Sequence, residues 1–213
     1  QMEKIWEYEQ TRKALDLSVD MAAEESGGYA KLNYVRDINN SEIFSYIYNI
    51  NTVDAVLQDL MENGLKVQSG ERIGKTIIFA YNHRHAELIV ERFNILYPEY
   101  CSDFCVLIDN YVTYAQDLID KFEKRDSEPQ IAVSVDMLDT GIDVPDILNL
   151  VFFKPVKSKI KYMQMIGRGT RLAPYLECVD NINCEYVGKK YFMIFDYCGN
   201  FEYFRQNANG FEG

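Results

Sequence analysis

The chain has 213 residues, and its 33 acidic and 22 basic side chains give a formal net charge of −11. A content of 47% hydrophobic and 14% aromatic residues predicts a packed core and excludes a disordered tail, a collagen-like repeat and a disulfide-stapled mini-protein. No run of about 18 apolar residues occurs, so we expect no membrane span. The negative charge argues against a protein that coats nucleic acid over its whole surface, but it is compatible with a local basic strip, because charges more than about 10 Å apart are largely screened.

The cysteines and the chain start bear on the cellular compartment. The five cysteines include no CxxC pair and fit neither a disulfide framework nor a common zinc site, so we expect reduced thiols at Cys101, Cys105, Cys178, Cys184 and Cys198. The N-terminus lacks a basic segment followed by an apolar one, which favours a cytoplasmic protein. The chain begins at Gln1 rather than Met, and we therefore expect a piece of a longer protein.

Residues 1–40 are acidic and only weakly periodic, and we interpret them as a peripheral, helical extension of a domain over residues 41–213. At the start of that domain, Ser41 is predicted to cap a first helix. A second helix is predicted to start at Asn51 or Thr52 and to end at Gly64, because apolar residues recur there on one helical face.

From residue 75 onward, short apolar runs alternate with amphipathic segments. The runs predict strands over residues 76–80, 105–108, 131–135, 147–153 and 191–195. Asn82 and Ser158 are predicted helix caps, and Thr113 with Gln116 has the spacing of a capping box. Strands that alternate with helices in this way predict an α/β fold, with a doubly wound parallel sheet flanked by helices.

Residues 69–76, SGERIGKT, nearly match the phosphate-binding loop of nucleoside triphosphatases. In such a loop a strand precedes the glycines and a helix follows, so that a lysine at the position of Lys75 reaches the phosphates. Here the order is reversed, because Gly74 and Lys75 run directly into an apolar strand. The segment is therefore predicted to be a turn that enters a strand.

The predicted strand over residues 131–135 is followed by DMLDTGIDVP, a turn that contains Gly141 and Asp143. The carboxyl end of a parallel strand is where α/β folds bind ligands. The spacing fits equally well a tight turn whose aspartates cap backbone amides.

Residues 164–171, QMIGRGTR, place Arg168 and Arg171 three residues apart, each beside a glycine. Two guanidinium groups on one face, next to a backbone that a ligand can approach, suit a phosphate chain. The alternative is a solvated basic helix end. The glycines disfavour this alternative, because they weaken a helix without a gain in packing.

Six basic residues follow one another with no acidic residue between the first and the last: Lys154, Lys157, Lys159, Lys161, Arg168 and Arg171. The stretch fits a strip that neutralises nucleic-acid phosphates without reading bases, and it fits a solvated loop and helix start equally well. His83 is a weaker second candidate for a nucleic-acid contact. His83 and His85 lack a nearby acidic pattern, so no metal site is predicted.

The segments with Gly-Ile-Asp at residues 141–143 and Gln-x-x-Gly-Arg-x-x-Arg at residues 164–171 resemble motifs V and VI of superfamily 2 helicases and translocases. More closely, four stretches are similar to the motor (R) subunit of type I restriction enzymes: GKTIIFAYNHRHAELIVERF, VSVDMLDTGIDVPDILNLVFFKPVKSK, QMIGRGTRL and YFMIFDYCGNFEYF. The resemblance covers about residues 42–204 and implies the second RecA-like domain of that subunit.

The resemblance implies roles for the matched residues around ATP. Arg168 and Arg171 would be arginine fingers aimed at the γ-phosphate, and Gln164 would couple ATP occupancy to domain closure. The residues near the nucleotide would be Gly141, Asp143 and Gly167, with the Asp143 carboxylate a candidate for a ribose hydroxyl.

The resemblance also implies cofactors and partners. ATP and Mg²⁺ would be bound mainly by a first RecA-like domain, so this chain alone should have negligible ATPase activity. Its partners would be duplex DNA, the first RecA-like domain and the nuclease domain of the same subunit, and the methyltransferase and specificity subunits. The DNA contacts would come from Lys154, Lys157, Lys159, Lys161 and His83.

Two departures from the DEAD-box helicases favour duplex DNA over RNA as the track. The chain has Val135 where their motif V has Thr, and it has Gln164 and Met165 where their motif VI opens with His-Arg. Two alternatives stay open: a stand-alone nucleic-acid-binding or adaptor module with a helicase-like fold, and a domain of another superfamily 2 DNA repair helicase.

Overall fold

A computed structural model describes residues 18–20, 31–33, 40–125, 127–138, 142–179 and 186–207. Most of the predicted extension over residues 1–40 lies outside the described residues, as do Gly141 and Cys184. Within the extension, β1 (Ser18–Asp20) and β2 (Lys31–Asn33) pair as antiparallel strands, so the prediction of a helical extension is wrong for these residues.

The main sheet has five strands in the order β11-β8-β5-β7-β6, and every neighbouring pair is parallel. This confirms the predicted parallel α/β fold. Four strands lie where the apolar runs predict them, whereas the last begins two residues later than predicted. The bounds are β5 (Lys75–Ala80), β6 (Cys105–Ile108), β7 (Ile131–Ser134), β8 (Ile147–Phe153) and β11 (Met193–Asp196).

Helices cover both faces of this sheet, which makes it doubly wound. Alternate residues of β5 point to opposite faces, so Ile78 packs in one apolar cluster and Ile77 in the other. The first three helices bury their apolar residues in the Ile78 cluster, and the last three pack against the Ile77 cluster. The helices are α1 (Asn40–Ile47), α2 (Ile50–Asn63), α3 (His83–Leu96), α4 (Ala115–Glu123), α5 (Lys159–Gly167) and α6 (Asn200–Gln206).

Helix starts follow the predicted caps in part, and Ser41, the predicted cap of the first helix, lies inside α1. The side chains of Asn82 and Ser158 accept hydrogen bonds from the third amide of α3 and α5, at 3.0 Å and 3.4 Å, which confirms both caps. Helix α2 begins at Ile50, one or two residues earlier than predicted, because Asn49 is its cap. The capping box predicted at Thr113 is wrong, because α4 follows Tyr114 and has no side-chain cap among the described residues.

A second, four-stranded antiparallel sheet was not predicted from the sequence. Its order is β10-β9-β3-β4, and its strands are β3 (Lys66–Val67), β4 (Arg72–Ile73), β9 (Ala173–Val179) and β10 (Tyr186–Lys189). The sheet joins the segment before β5 to the segment after α5. It thereby ties the end of the motif VI segment to the amino edge of the main sheet.

The near match to a phosphate-binding loop is a turn that enters a strand, as predicted. Lys75 is the first residue of β5, and its side chain is buried rather than presented to a ligand. The ammonium group donates to the carbonyl oxygens of Phe122, Ser127 and Pro129 at 2.8, 3.3 and 3.4 Å. These bonds satisfy the buried charge and hold the loop between α4 and β7.

Two further expectations concern membranes and thiols. In the part of the chain that the structure describes, every helix is too short or too polar to cross a membrane. Cys101, Cys105 and Cys198 are unbridged thiols, as predicted.

Candidate functional site

Two candidates for nucleic-acid contact, His83 and Lys154, follow carboxyl ends of the parallel strands, and so does Asp136. His83 follows β5, Asp136 follows β7, and Lys154 follows β8 directly. Because parallel strands end at the same edge, these residues share the carboxyl edge of the main sheet. Helix α5 then runs back from this edge, and Arg168 follows its last residue.

The two predicted motifs lie in contact with each other. The Nη1 atom of Arg168 donates to the carbonyl oxygen of Ile142 at 2.5 Å. The Nη2 atom of Arg171 lies 3.0 Å from Oδ2 of Asp143. The structure therefore brings both arginines to the short segment that leads into β8.

The Arg171–Asp143 ion pair lies at the surface, with both side chains about 60% exposed. Exposed pairs of this kind contribute about 0–1 kcal/mol to stability, because water screens the attraction and two long side chains lose freedom. Both groups can therefore turn toward a ligand at little energetic cost. The arrangement supplies permanently charged donors next to an acceptor carboxylate, which is a set that suits a nucleotide.

The two glycines that flank Arg168 have different surroundings. A Cβ atom built on Gly169 would lie 2.3 Å from Cδ2 of Phe192, so this glycine is required by close packing. A Cβ atom on Gly167 would meet no heavy atom of the described residues within 4 Å. With respect to the residues that the structure describes, Gly167 therefore borders open space, while Gln164 is exposed on the same helix.

No acidic residue interrupts the basic strip in the sequence, but in the structure acidic side chains contact part of it. The Nζ atoms of Lys154 and Lys161 lie 2.9 Å and 2.5 Å from the same oxygen, Oδ1 of Asp136. The Lys154 side chain is only 6% exposed, whereas Lys157 and Lys159 are exposed. The inference of an unopposed strip is therefore wrong for Lys154, Lys161 and Arg171, because sequence order does not show their contacts with Asp136 and Asp143.

Asp136 is an anion held between two cations. Partial burial raises the pKa of Asp136, but hydrogen bonds from Lys161 and Lys154, together with their charges, outweigh burial and lower it from 3.8 to about 2. The carboxylate is therefore ionised at every physiological pH.

His83 lies at the start of α3 between two carboxylates. Its Nδ1 atom is 2.6 Å from Oδ2 of Asp109, which is buried, and its Nε2 atom is 3.3 Å from Oε1 of Glu87. The hydrogen bond to Asp109 is the main cause that raises the pKa of His83 above 6.5. Both ring nitrogens have carboxylate partners within the chain, and these partners favour the protonated form of His83.

His85 belongs to the core rather than to a site. Its side chain is buried, and burial lowers its pKa from 6.5 to about 4. Its Nδ1 atom accepts a hydrogen bond from the amide of Tyr81 at 3.1 Å. Among the described residues, no group of three or more His, Cys, Asp or Glu side chains is arranged to hold a metal ion.

Sequence reasoning missed Asn200, which holds the loop after β8. Its Oδ1 atom accepts from the amide of Val156 at 2.6 Å, and its Nδ2 atom donates to the carbonyl of Lys154 at 3.1 Å. The side chain thus clamps both sides of Pro155 and fixes the direction in which Lys154 and Lys157 leave the sheet. In the sequence, the available signal for a tight turn at this point was Gly199. Its φ in the structure is 68°, in the left-handed region.

Residues 52–173 of the chain match the model of the helicase conserved C-terminal domain family. The match spans more than half of the chain, and the chain therefore belongs to this family. The RecA-like α/β fold is the fold expected of it.

Particular relatives are subunits of restriction enzymes. The chain is 38% identical over 130 residues to the type I restriction enzyme EcoKI endonuclease subunit of Escherichia coli K12. The matched region covers 57% of the chain and 10% of that subunit. The chain is 26% identical over 196 residues to the EcoAI endonuclease subunit of Escherichia coli, over 86% of the chain and 22% of the relative. The chain thus spans between a tenth and a quarter of the length of these relatives.

A solved structure shows the same fold. It is a fragment assigned to the HsdR subunit of a type I restriction enzyme from Vibrio vulnificus YJ016, with 22% identity and a TM-score of 0.57. The similarity covers 76% of this chain and 29% of that one. Together, the comparisons confirm the resemblance to the second RecA-like domain of restriction-enzyme motor subunits.

Proposed function

We propose that the chain is the second motor domain of an ATP-dependent duplex DNA translocase within a type I restriction endonuclease. The observation that carries the proposal is the convergence of Arg168 and Arg171 on residues 142 and 143. The similarity to the EcoKI and EcoAI endonuclease subunits supports the choice of enzyme class.

In this proposal, Arg168 and Arg171 stabilise the negative charge that develops on the γ-phosphate when ATP is cleaved. A correctly supplied arginine finger accelerates such a reaction by about 10³–10⁵-fold. The weakness of the exposed Arg171–Asp143 pair supports this role, since the guanidinium group leaves the carboxylate at little cost. Gln164, exposed on the same helix, would sense ATP occupancy and link it to closure of the motor cleft.

The residues proposed to border the nucleotide are Asp143, Gly167 and Gly141, the last of which lies outside the described residues. The open space beside Gly167 leaves room for a ligand against the backbone, and the Asp143 carboxylate suits a ribose hydroxyl. ATP would supply the phosphoryl group that is cleaved. Because Lys75 is buried against carbonyl groups, we propose that the phosphate loop and the Mg²⁺-binding acid belong to a first RecA-like domain.

DNA would contact the carboxyl edge of the main sheet. Lys157 and Lys159 are exposed there, and Lys154, Lys161 and His83 would contact DNA at the same edge. Lysines that neutralise phosphates hold the backbone without reading sequence, as a translocase requires. The target sequence would then be read by a separate specificity subunit that works with the methyltransferase subunit, in the cytoplasm.

The test uses the longer subunit that carries both motor domains. Replacing Arg168 or Arg171 by Ala should reduce DNA-stimulated ATP turnover by about 10³-fold or more, while DNA affinity changes little. Arg205→Ala is the matched control, because Arg205 is an exposed arginine on α6 that pairs with Glu202. The 213-residue chain alone should show negligible ATP turnover.

The same variants discriminate the binding-module alternative. If Arg168→Ala lowers DNA affinity and flattens its dependence on salt while ATP turnover persists, the arginines bind DNA backbone. That result would contradict the arginine-finger role and support a module that keeps the fold without catalysis.

A further inference from the structure

The Asp136 carboxylate lies where two lysine ammonium groups converge at the carboxyl edge. Its Oδ1 atom is 2.9 Å from Nζ of Lys154 and 2.5 Å from Nζ of Lys161. Two ammonium groups that approach a single oxygen define a compact anion site. The occupant is itself a side chain that is 60% exposed, so the site opens to solvent.

The backbone holds Asp136 at this position in an unusual conformation. Asp136 has a φ of 63°, in the left-handed region that few residues other than Gly, Asn and Asp adopt. The amide of Met137 donates to the carbonyl of Val135 at 2.7 Å, and the amide of Leu138 donates to Oγ of Ser134 at 3.1 Å. The turn is therefore closed by its own hydrogen bonds, and the carboxylate can leave the lysines by side-chain rotation alone.

The two lysines differ in their surroundings. The Lys154 side chain is 6% exposed, so its ammonium group has already lost most of its water, whereas the Lys161 side chain is 37% exposed. A partly dehydrated ammonium group binds an anion more strongly than a fully solvated one, because the local dielectric constant is low. The depressed pKa of Asp136 agrees with a site that favours an anion.

We propose that Lys154 and Lys161 form a phosphate site for the DNA backbone, and that Asp136 occupies this site in the chain without DNA. A phosphodiester group would then enter as the carboxylate leaves, one anion replacing another. The assignment of the anion as a DNA phosphate rests on the proposed function, whereas the existence of an anion site does not. Such an exchange keeps each backbone contact weak, which suits a motor that must release one phosphate to reach the next.

The test compares Asp136→Asn with the original chain in DNA binding. Asn tolerates left-handed backbone and keeps an oxygen that accepts from the lysines, so the turn should persist. Asp103→Asn is the matched control, because it makes the same change in charge on an exposed residue just before β6, at the opposite edge of the sheet. The probe is a fluorescently labelled DNA duplex of arbitrary sequence, and binding is followed by anisotropy at several salt concentrations.

We expect Asp136→Asn to bind the duplex about five- to tenfold more tightly than the original chain, with a salt slope steeper by about one. Asp103→Asn should change affinity less than about twofold, because its charge is screened from the lysines. Adding Lys161→Gln to Asp136→Asn should remove the gain. Equal effects of Asp136→Asn and Asp103→Asn, or weaker binding by Asp136→Asn, would overturn the proposal.

A second measurement separates the anion site from the DNA function. Inorganic phosphate is titrated while the amide resonances of residues 136 and 161 are followed by NMR. Tighter phosphate binding in Asp136→Asn, with no duplex binding by any variant, would support the anion site and contradict the DNA track. Duplex binding by the original chain with no response of these resonances to phosphate in Asp136→Asn would keep the DNA function and refute the exchange.

Discussion

The two glycines that flank Arg168 should respond in opposite ways to the same added methyl group. Gly167 is the last residue of α5, and a Cβ atom there meets no described heavy atom within 4 Å. Alanine stabilises a helix interior by about 1 kcal/mol relative to glycine, and this is an upper bound at a helix end. Gly167→Ala should therefore raise the free energy of unfolding by up to about 1 kcal/mol.

Gly169→Ala is the matched comparison, two residues away. Its Cβ atom would lie 2.3 Å from Cδ2 and 2.6 Å from Cε2 of Phe192, so the ring or the backbone must shift. Such overpacking costs about 1–3 kcal/mol. At about 2–4 °C per kcal/mol for a chain of this size, Gly169→Ala should lower Tm by several degrees, while Gly167→Ala should leave Tm unchanged or raise it by about 3 °C.

The assay is thermal and urea unfolding of the two variants beside the original chain, followed by far-UV circular dichroism. Gly167→Ala should also impair DNA-stimulated ATP turnover in the longer subunit, because its methyl group enters the space proposed for the nucleotide. A loss of more than about 0.5 kcal/mol in Gly167→Ala would show that Gly167 is needed for folding. Normal turnover in a stable Gly167→Ala subunit would refute a ligand beside this glycine.

Two further predictions concern buried polar groups. Burial lowers the pKa of His85 from 6.5 to about 4. Between these two pH values the unfolded chain binds a proton at His85 that the folded chain does not bind. The free energy of unfolding should therefore fall by up to about 3 kcal/mol between pH 6.5 and 4. Urea titrations of His85→Gln should show a smaller fall over this range, and an unchanged fall would contradict the assignment. Replacing Asn200 by Leu leaves backbone groups of Lys154 and Val156 unpaired and should lower the free energy of unfolding by about 2–4 kcal/mol. Leu at the exposed Asn207 is the control and should lower it by less than about 0.5 kcal/mol. Equal losses for the two variants in urea unfolding would contradict the role of Asn200 in holding the loop.

The main sheet was predictable from local sequence because its strands are buried on both faces. All seven residues of β8, Ile147–Phe153, are buried, and such strands read as continuous apolar runs. The antiparallel sheet was not predictable in this way. β3 and β4 have two residues each, and β3 pairs with β9 more than a hundred residues later in the chain, so the pairing depends on tertiary structure.

The motifs of the candidate site could be recognised in the sequence, but the pairing of its charged side chains could not. The resemblance directed attention to residues 141–143 and 164–171, and the structure adds the contact between Arg168 and Ile142. The functional roles of these residues stay predictions. The count of unopposed lysines failed because Asp136 is separated from Lys154 by 18 positions in sequence but by 2.9 Å between side-chain atoms in space.

The most direct test of the central claim is the rate of DNA-stimulated ATP hydrolysis by the longer subunit with Arg168→Ala. The account predicts a loss of about 10³-fold or more, with DNA affinity within about threefold of the original and with Arg205→Ala unaffected. A rate within about tenfold of the original, in a folded subunit that still binds DNA, would contradict the role of Arg168 as an arginine finger.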